Sequence, residues 1–544
     1  MKSAPAAQVR LNPSAWVLAM HVPLAAFVAL HDYPATQDGP SHLYGVHVLR
    51  SLAANVDSPF RSIFSANLRP GTNSLFTYIA LGVARFVNED WAVRLCWLLA
   101  LVGMPLAALA FERSLREERS TNGARNLSLS VPLACVLAYN YFLYRGLFNY
   151  VLGVPLAIGC LAAVVASGRP SINRWRAGAY TVMAMVCALL AALAHPAAIL
   201  FLLVAIPAAC ITAWRRRGIT GALVCLLLVW FTYSTWIPSE RPPPAEFVNP
   251  AIALSQFVRA IGVTYSWLEV LPAAAILLLC GLGVVRSLRN GASESKNLAT
   301  HFPVWLALAL VLVYFFIPFS YGGAAGLNER IPIFVVLLVL PYTSISVKRR
   351  AWVPVLFVPF AAYTLIQNVR ADALANQVRH SIAGSAIPRG SRVSLDSLRV
   401  KYGTLSADLG RHLLGDLSRT SGLVSGSVFC GHPAHVVRCT SRTPDIPDLS
   451  GVQDFEHLGP ERRRAALADP QSSIVRSLDS MRQRAEEAEY LLVLHAPELD
   501  DAYDERVIRP LRAVRIDTIG GMVSAYRVPR PVDGKYLASA GSIP

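Results

Sequence analysis

The sequence predicts a polytopic α-helical membrane protein with about 11 transmembrane helices and a C-terminal extracytoplasmic α/β domain. Three observations carry this prediction: 54% of the 544 residues are hydrophobic, only 15% are charged, and the mean hydropathy is +0.43. A soluble protein carries about 25% charged residues. The same composition excludes disordered, collagen-like and disulfide-scaffold chains.

Eleven apolar segments come close to the length of about 20 residues that a membrane-spanning helix needs. They lie at 14–31, 91–111, 128–144, 150–167, 178–194, 197–213, 219–236, 269–285, 303–319, 331–346 and 351–367. The transmembrane domain is therefore predicted over 1–367, and 368–544 has the composition of a soluble domain. The first segment is not a cleavable signal, because no small-residue cleavage site accompanies it.

The charges between these segments predict the orientation. With the N-terminus in the cytoplasm, the cytoplasmic loops hold 16 Lys and Arg residues, whereas the opposite loops, leaving aside the long first one, hold four. Because positive residues accumulate on the cytoplasmic side, this orientation is favoured. An odd number of spans then places the C-terminal domain in the periplasm of a bacterial inner membrane. The net charge of +16 comes from 45 Arg and 5 Lys against 34 acids, and the cations sit in short runs between apolar segments, so no nucleic-acid partner is indicated.

The apolar segment 74–87 is too short for a span and is typical of an interfacial helix. If it crossed the membrane, every later loop would change sides and the arginine runs would lie outside. We therefore predict that it lies on the outer membrane face. Residues 32–90 then form one large extracytoplasmic loop with juxtamembrane helices.

The start of this loop concentrates groups that can carry acid–base chemistry. Asp32 and Asp38 occur here with the histidines His31, His42 and His47, and an amphipathic helix with a proline in its first turn follows. A proline fits the start of a helix, and a carboxylate there lies near the positive end of the helix dipole. Helix capping is the alternative role for Asp38, since Asp before Gly-Pro is common in turns.

A first span, a short acidic loop and a juxtamembrane helix together resemble the GT-C superfamily of membrane glycosyltransferases. Its members include protein O-mannosyltransferases, the lipid A aminoarabinose transferase and the oligosaccharyltransferase catalytic subunit. The resemblance extends to 74–95, to the Ala-His-Pro turn at 194–196 and to 328–332 at the start of a late span. It covers nearly the whole chain and lies in the architecture more than in any single motif.

The resemblance implies that a sugar is moved from a polyprenyl-phosphate donor to a glycan, lipid or protein acceptor at the extracytoplasmic face, with inversion. The first-loop acid is the implied general base, and it matches Asp38, with Asp32 as its competitor. A carboxylate suits this role, because the acceptor hydroxyl must lose a proton as it attacks. The charge that develops on the leaving phosphate needs fixed cations.

Arginines on the outer side are candidates for the phosphate, because the guanidinium fork binds phosphate oxygens bidentately. The candidate substrate-binding residues are His42, Arg94, Arg145, Asn149, His195, Glu329 and Arg330. Arg145 lies in an aromatic segment at 141–150, where the alternative is a snorkelling residue in an interfacial belt. For Glu329 and Arg330 the alternative is a structural ion pair.

No metal site and no other cofactor is predicted. The loop 145–150 lacks the second acid that some GT-C members carry, and hard cations prefer several oxygen ligands. A reaction that depends on a divalent metal is therefore less favoured. The long outer loop 237–268 is interpreted as a gate for lipid or acceptor entry, since long loops are often functional, with a stiff proline spacer as the alternative.

The C-terminal region changes to a soluble pattern. A turn and strand near 388–395, a polar helix at 477–487, a buried strand at 489–495 and a hairpin at 518–527 predict a small α/β domain. Cys430 and Cys439 leave three alternatives open: a disulfide, free thiols or a zinc site.

The competing function is transport, by a permease or a flippase of a lipid-linked or envelope component. Transporters often show internal repeats and broken helices at matching positions in two halves, and the sequence shows neither.

Overall fold

The computed structural model describes residues 13–30, 38–116, 126–235, 245–262, 270–291, 298–321, 324–346, 357–367, 391–398, 437–439, 458–496, 498–519 and 523–529, with a few single residues between these ranges. Helices dominate up to residue 367. They are α1 Pro13–Leu30, α2 Gly39–Ala54, α3 Leu75–Val83, α4 Asp90–Arg116, α5 Ser130–Leu137, α6 Tyr141–Arg145, α7 Phe148–Ser167, α8 Arg174–Ala194, α9 Pro196–Ile211, α10 Trp214–Thr235, α11 Pro250–Gly262, α12 Val270–Gly291, α13 Leu298–Tyr314, α14 Ile331–Val339 and α15 Phe357–Gln367.

The helices form the bundle of an integral membrane protein. Within the described residues, five helices are long and apolar enough to cross a membrane, and they lie in α4, α7, α8, α10 and α12. Four shorter apolar helices lie in α1, α9, α13 and α15. These nine helices coincide with nine of the predicted spans, so the predicted count of eleven is not established.

The other two predicted spans are broken in the structure. The segment 128–144 forms α5 and α6, and the segment 331–346 forms α14 followed by the 3-10 turn Leu340–Tyr342. The first break occurs at Asn140, whose Oδ1 accepts from the N–H groups of Phe142 (2.9 Å) and Leu143 (3.3 Å). Non-helical backbone is tolerated at membrane depth where protein surrounds it, and the residues of α14 after its first are all buried.

Contacts between the loops group them on two sides of the bundle. On one side, strand β2 (Asn126–Ser128) pairs with β5 (Ser344–Ser346), and Arg286 donates to the Ser344 carbonyl over 3.4 Å. On the other side, β1 (Phe64–Ala66) pairs with β7 (Val437–Cys439). The loop predicted to be the first outer one and the C-terminal region therefore share one side, whereas loops predicted to be cytoplasmic share the other.

The segment 74–87 contains α3, which has nine residues. At 1.5 Å per residue, α3 is about 14 Å long, too short to cross a bilayer. Its start is fixed by the Ser74 N–H, which donates to the Leu193 carbonyl at the end of α8 over 3.0 Å. Helix α3 therefore lies across the ends of the long helices.

The C-terminal region contains the predicted sheet. Its strands are β6 Val393–Ser397, β8 Tyr490–Leu494, β9 Val514–Ile519 and β10 Val523–Arg527, in the spatial order β6-β8-β10-β9. Strands β6 and β8 are parallel, and the other neighbours are antiparallel. Helices α16 Pro460–Ala468, α17 Ser473–Ala485, α18 Asp500–Tyr503 and α19 Arg509–Leu511 complete it, with the short strands β3 Ser320–Tyr321 and β4 Ala324–Ala325 in the membrane domain. Cys430 lies outside the described residues, so the three alternatives for Cys430 and Cys439 stay as the sequence leaves them.

A buried carboxylate ties this sheet to its helices. Asp396 on β6 has no exposed surface, accepts a hydrogen bond from the Tyr503 hydroxyl at 2.5 Å and lies 3.4 Å from the Arg484 guanidinium. Burial raises the pKa of Asp396 from 3.8 to about 6, although Arg484 and the Tyr503 hydrogen bond lower it.

We expect the free energy of unfolding of this domain to fall as the pH rises from about 4 to about 6. The folded state binds the Asp396 proton more tightly than the unfolded chain does, so the stabilising contribution is complete below pH 4 and lost above pH 6. A pKa shift of this size corresponds to about 3 kcal/mol of unfolding free energy. Amide exchange of β6 and β8 across this pH range in the full chain, corrected for intrinsic rates, measures it.

Asp396→Asn should remove this component of the pH dependence, because the amide does not titrate. The exposed Asp501→Asn is the matched control and should keep it. If the Asp396→Asn variant keeps the same pH dependence, another group is responsible.

Candidate active site

Asp38 lies directly before α2, at its N-terminal end, where a hydrogen bond holds its backbone. The residue is 7% exposed, and its N–H donates to the carbonyl of Arg145 over 2.9 Å. Its side chain makes no capping hydrogen bond to α2, so the helix-capping alternative is not what the structure shows. The backbone contact places the candidate base next to the first candidate cation.

A glycine allows this close approach. Gly146 ends α6 in the left-handed region, at φ +81°. A Cβ atom there would lie 2.6 Å from the Gly39 nitrogen and 3.0 Å from the Asp38 nitrogen, well inside van der Waals contact. Both the backbone conformation and the packing therefore require glycine at this turn.

Arg145 is part of a network centred on Tyr141. Its Nη1 donates to the Tyr141 hydroxyl oxygen over 3.0 Å and lies 3.8 Å from Oε2 of Glu329. Arg259 of α11 donates to the same Tyr141 oxygen over 3.0 Å, and its guanidinium lies 4.4 Å from the ring centroid. Two cations from different parts of the chain thus share one phenol group.

Arg330 lies beside this network, in the 3-10 turn Asn328–Arg330. Its carbonyl accepts from the Tyr150 hydroxyl over 2.7 Å, whereas its Nε is buried without a hydrogen-bond partner. Burial lowers the pKa of Arg330, and the charge of Arg145 adds to this effect, against the attraction of Tyr150, Glu329 and Asp38.

The pKa of Arg145 is raised by the groups that surround it. Burial alone would lower it, but Tyr141 and the carboxylates of Asp38 and Glu329 together raise it by more. Both arginines therefore share an electrostatic environment with both carboxylates. Arginine stays protonated at physiological pH, so this part of the site keeps fixed positive charge.

Glu329 is the second carboxylate of the site. It is 4% exposed, and its Oε2 has no hydrogen-bond partner. Gly326, at φ +67°, allows its position, because a Cβ there would lie 2.8 Å from that oxygen. With Arg259 included, the site has three guanidinium groups and two carboxylates, which leaves a net positive charge for an anion.

His195 lies between α8 and α9, close to Arg330. Its Nδ1 accepts from the Ala197 N–H over 3.0 Å, and its ring packs edge-on against Tyr150 with centroids 5.3 Å apart. Burial, and then the charge of Arg330, lower the pKa of His195 well below its ordinary value. His195 is therefore neutral, with its proton on Nε2.

The other predicted residues lie in separate contacts. The Asn149 side chain accepts from the Phe76 N–H over 2.8 Å and donates to the Asn73 carbonyl over 2.7 Å, which fixes the start of α3. The Arg94 guanidinium lies 5.0 Å from the Trp91 ring centroid. The roles of Asn149 and Arg94 as substrate contacts stay predictions.

Two further candidates also stay predictions. The His42 ring packs against Phe76 and Phe148, with centroids 5.6 and 5.9 Å apart. Asp32 lies outside the described residues.

Three residues of the site were not predicted as members: Tyr141, Tyr150 and Arg259. A signal for the tyrosines existed, since both stand in the aromatic segment around Arg145. Arg259 belongs to the few outer cations and lies in the predicted gate loop, of which the structure describes α11. The hydrogen bonds that connect these residues join parts of the chain more than a hundred positions apart, which spacing alone does not reveal.

The fold of this chain is that of a solved membrane-enzyme structure, so the predicted resemblance to the GT-C superfamily is confirmed at the level of the fold. The structure is similar to that of ArnT, the lipid A aminoarabinose transferase, from Cupriavidus metallidurans bound to undecaprenyl phosphate. That crystal structure has a TM-score of 0.50 and 11% identity, covering 95% of this chain and 98% of the ArnT chain.

Two further solved structures are similar. ArnT from Cupriavidus metallidurans in the apo state has a TM-score of 0.49 and 12% identity, with 95% of this chain and 98% of that chain covered. The oligosaccharyltransferase from Archaeoglobus fulgidus in the apo form has a TM-score of 0.42 and 10% identity, with 88% and 69% covered. No protein-family model and no curated protein matches the sequence.

Proposed function

We propose that the protein is an integral membrane glycosyltransferase that moves a sugar from a polyprenyl-phosphate donor to a glycan, lipid or protein acceptor at the extracytoplasmic face. The observation that carries the proposal is the placement of Asp38 against Arg145 and near Arg330 at one end of the bundle. A carboxylate beside two partly buried guanidinium groups suits proton removal next to a phosphate leaving group. The similar ArnT structure is bound to undecaprenyl phosphate, a lipid phosphate of this kind.

The arginines are proposed to hold the donor phosphate. Arg330 has a buried Nε without a hydrogen-bond partner, so it has donor capacity left for a ligand. Arg145 has used one amino group on Tyr141, and Arg259 approaches from α11. Fixed cations are worth most where charge develops during the reaction, and here the charge develops on the phosphate.

Asp38 is proposed as the general base, and the bond changes follow from that role. The acceptor hydroxyl oxygen forms a bond to the anomeric carbon while its proton passes to the Asp38 carboxylate. The bond between that carbon and the phosphate oxygen breaks, and its electron pair stays on the phosphate. Attack from the face opposite the phosphate inverts the configuration.

We propose that no metal takes part. Among the described residues, no group of three His, Cys, Asp or Glu side chains is arranged to hold a metal ion. The positive argument is electrostatic: the carboxylates of Asp38 and Glu329 lie among guanidinium groups, which repel a divalent cation. Arginines then take over the stabilisation of the phosphate charge.

His195 and Glu329 are proposed to contact the donor next to the arginines. Neutral His195 offers an Nε2 proton, because its Nδ1 is occupied as an acceptor. Glu329 offers an oxygen without a hydrogen-bond partner. A sugar hydroxyl both donates and accepts, so one donor and one acceptor suit it.

The proposed orientation has the N-terminus in the cytoplasm and the C-terminal domain in the periplasm of a bacterial inner membrane. In a cysteine-free background, we expect an impermeant thiol reagent to label Asp501→Cys from outside, but not Arg216→Cys or Arg349→Cys. All three should react after the membrane is permeabilised. Labelling of Arg216→Cys in intact cells would show that the orientation is inverted.

One experiment separates the enzyme from the competing transporter. The purified protein in vesicles is supplied with an undecaprenyl-phosphate-linked sugar and an extract of envelope acceptors. An enzyme releases undecaprenyl phosphate as the sugar–phosphate bond breaks. If the intact lipid-linked sugar crosses the vesicle membrane and no bond breaks, the protein is a transporter.

A further inference from the structure

Helix α2, which carries Asp38 at its start, is held from two opposite sides. On the bundle side, Leu43 and Val46 are fully buried in the core cluster of the long helices. On the other side, α2 packs against the chain that follows it. The residues of this second cluster are Tyr44, Val48, Leu49, Leu52, Phe60, Ile63 and Phe64.

The bundle side also has an electrostatic anchor. Glu89, directly before α4, is 6% exposed, and its Oε1 accepts from Arg50 of α2 over 2.6 Å. Its Oε2 lies 3.3 Å from Nδ1 of His47, one turn earlier on α2. A buried carboxylate that loses such partners is costly, so this anchor fixes α2 to the membrane domain.

The opposite side is fixed through a strand pair. Strand β1 begins at Phe64, the last residue of the second cluster, and it pairs antiparallel with β7 of the C-terminal region. The register places Phe64 opposite Cys439, Ser65 opposite Arg438 and Ala66 opposite Val437. Helix α2 also contacts β7 itself. The residues 437–439 are thus in contact with the helix that begins at Asp38, although some four hundred positions separate them in sequence.

We propose that β7, a strand of the C-terminal region, is a positioning element of the active site: β7 holds β1, β1 holds α2, and α2 keeps Asp38 against Arg145. The role given to Asp38 rests on the proposed function, whereas the mechanical link does not. Contacts with the bundle hold one side of α2. The other side packs against the second cluster, which β7 holds in place through β1. Loss of the link therefore loosens α2 while the long helices stay folded.

The first test is a cross-link in the full chain. Directly opposed residues of an antiparallel pair have Cα atoms about 4.5–5.5 Å apart, which is within the range of about 4.4–6.8 Å that a disulfide accepts. The double variant with Ser65→Cys and Arg438→Cys should therefore form a disulfide in air, with no other oxidant added. The disulfide is detected by the mass of the cross-linked peptides. The two single variants are the controls, and absence of the disulfide in the double variant would overturn the proposal.

The second test breaks the strand pair. Along an antiparallel strand, residues whose N–H bonds to the partner strand alternate with residues whose N–H does not. Proline has no N–H, so one of the two variants Val437→Pro and Arg438→Pro removes a hydrogen bond between β7 and β1. In that variant of the full chain, we expect amide exchange in α2 to become about tenfold faster, with exchange in α7 unchanged. The matched control is Arg515→Pro on the edge strand β9, which should leave α2 unchanged.

Two results of the exchange experiment would overturn the proposal. One is unchanged exchange in α2 in both proline variants, and the other is an equal acceleration in α7, which indicates general destabilisation. No sugar donor is present in these measurements. They therefore decide the mechanical link even if the chain turns out to have no transferase activity.

Discussion

Asp38→Asn is expected to reduce sugar transfer by about 10²–10⁴-fold, the usual contribution of a general base. The amide keeps the size of the side chain but cannot take the proton of the acceptor hydroxyl. The backbone bond from the Asp38 N–H to Arg145 is untouched by this change, so the fold should remain. Initial rates of transfer from an undecaprenyl-phosphate-linked sugar, measured with purified variants of equal thermal stability, give the effect.

The design of this experiment needs two comparisons. Asp57→Asn is the matched control, since Asp57 is an exposed acid in the same outer loop, and it should keep full activity. Asp32→Asn tests the competing acid. Full activity of Asp38→Asn together with a large loss in Asp32→Asn would move the base to Asp32, and full activity of both would refute the mechanism. Binding of undecaprenyl phosphate should stay within about twofold in Asp38→Asn, because the phosphate contacts are assigned to the arginines.

Arg330→Ala is expected to weaken binding of undecaprenyl phosphate and to slow transfer, each by about 10–100-fold. A charge-assisted hydrogen bond to phosphate is lost, and a partly buried ligand charge loses a partner. Arg330→Lys should behave more like the alanine variant than like the wild type, because an ammonium group does not reproduce the bidentate fork. Equilibrium binding of the lipid phosphate and the transfer rate are measured side by side.

The control for this series is Arg85→Ala, an exposed arginine on the same side of the bundle, which should change neither quantity. The alternative predicted from the sequence for Arg330 is a structural ion pair with Glu329, whereas in the structure Glu329 forms its ion pair with Arg145, at 3.8 Å. That role predicts variants that unfold at lower temperature but bind and turn over normally. Such a result would remove Arg330 from the site.

Much of the helical arrangement could be predicted, because it depends on local properties. Apolar length identifies α4, α7, α8, α10 and α12 as spans, and the arginine distribution separates the loops into the two groups that the structure also shows. The break at Asn140 was not predicted, because a single amide inside an apolar segment caps a helix only where the surrounding bundle allows the chain to turn. In a hydropathy profile, one asparagine lowers the mean value of the apolar segment only slightly.

The site was predicted as separate residues, and their assembly was not. Sequence placed Arg145 and Arg330 at outer span ends, and the structure adds that both interact with Asp38 and Glu329. The Tyr141 link to Arg259 depends on how α11 packs against α6, which no local pattern encodes. The Asn149 amide is engaged by the backbone around α3, and its role as a ligand contact stays a prediction.

The conformation of Gly146 has a practical consequence for engineering this protein. A library that randomises the α6–α7 turn would lose nearly every member at this position, because any larger residue collides with the backbone before Gly39. Selections for a new donor would then report the folding yield of the turn instead of ligand preference. Substitutions are better introduced at His195 or on α11 around Arg259. Changes there alter the side chains of the site and leave Gly146 in the turn.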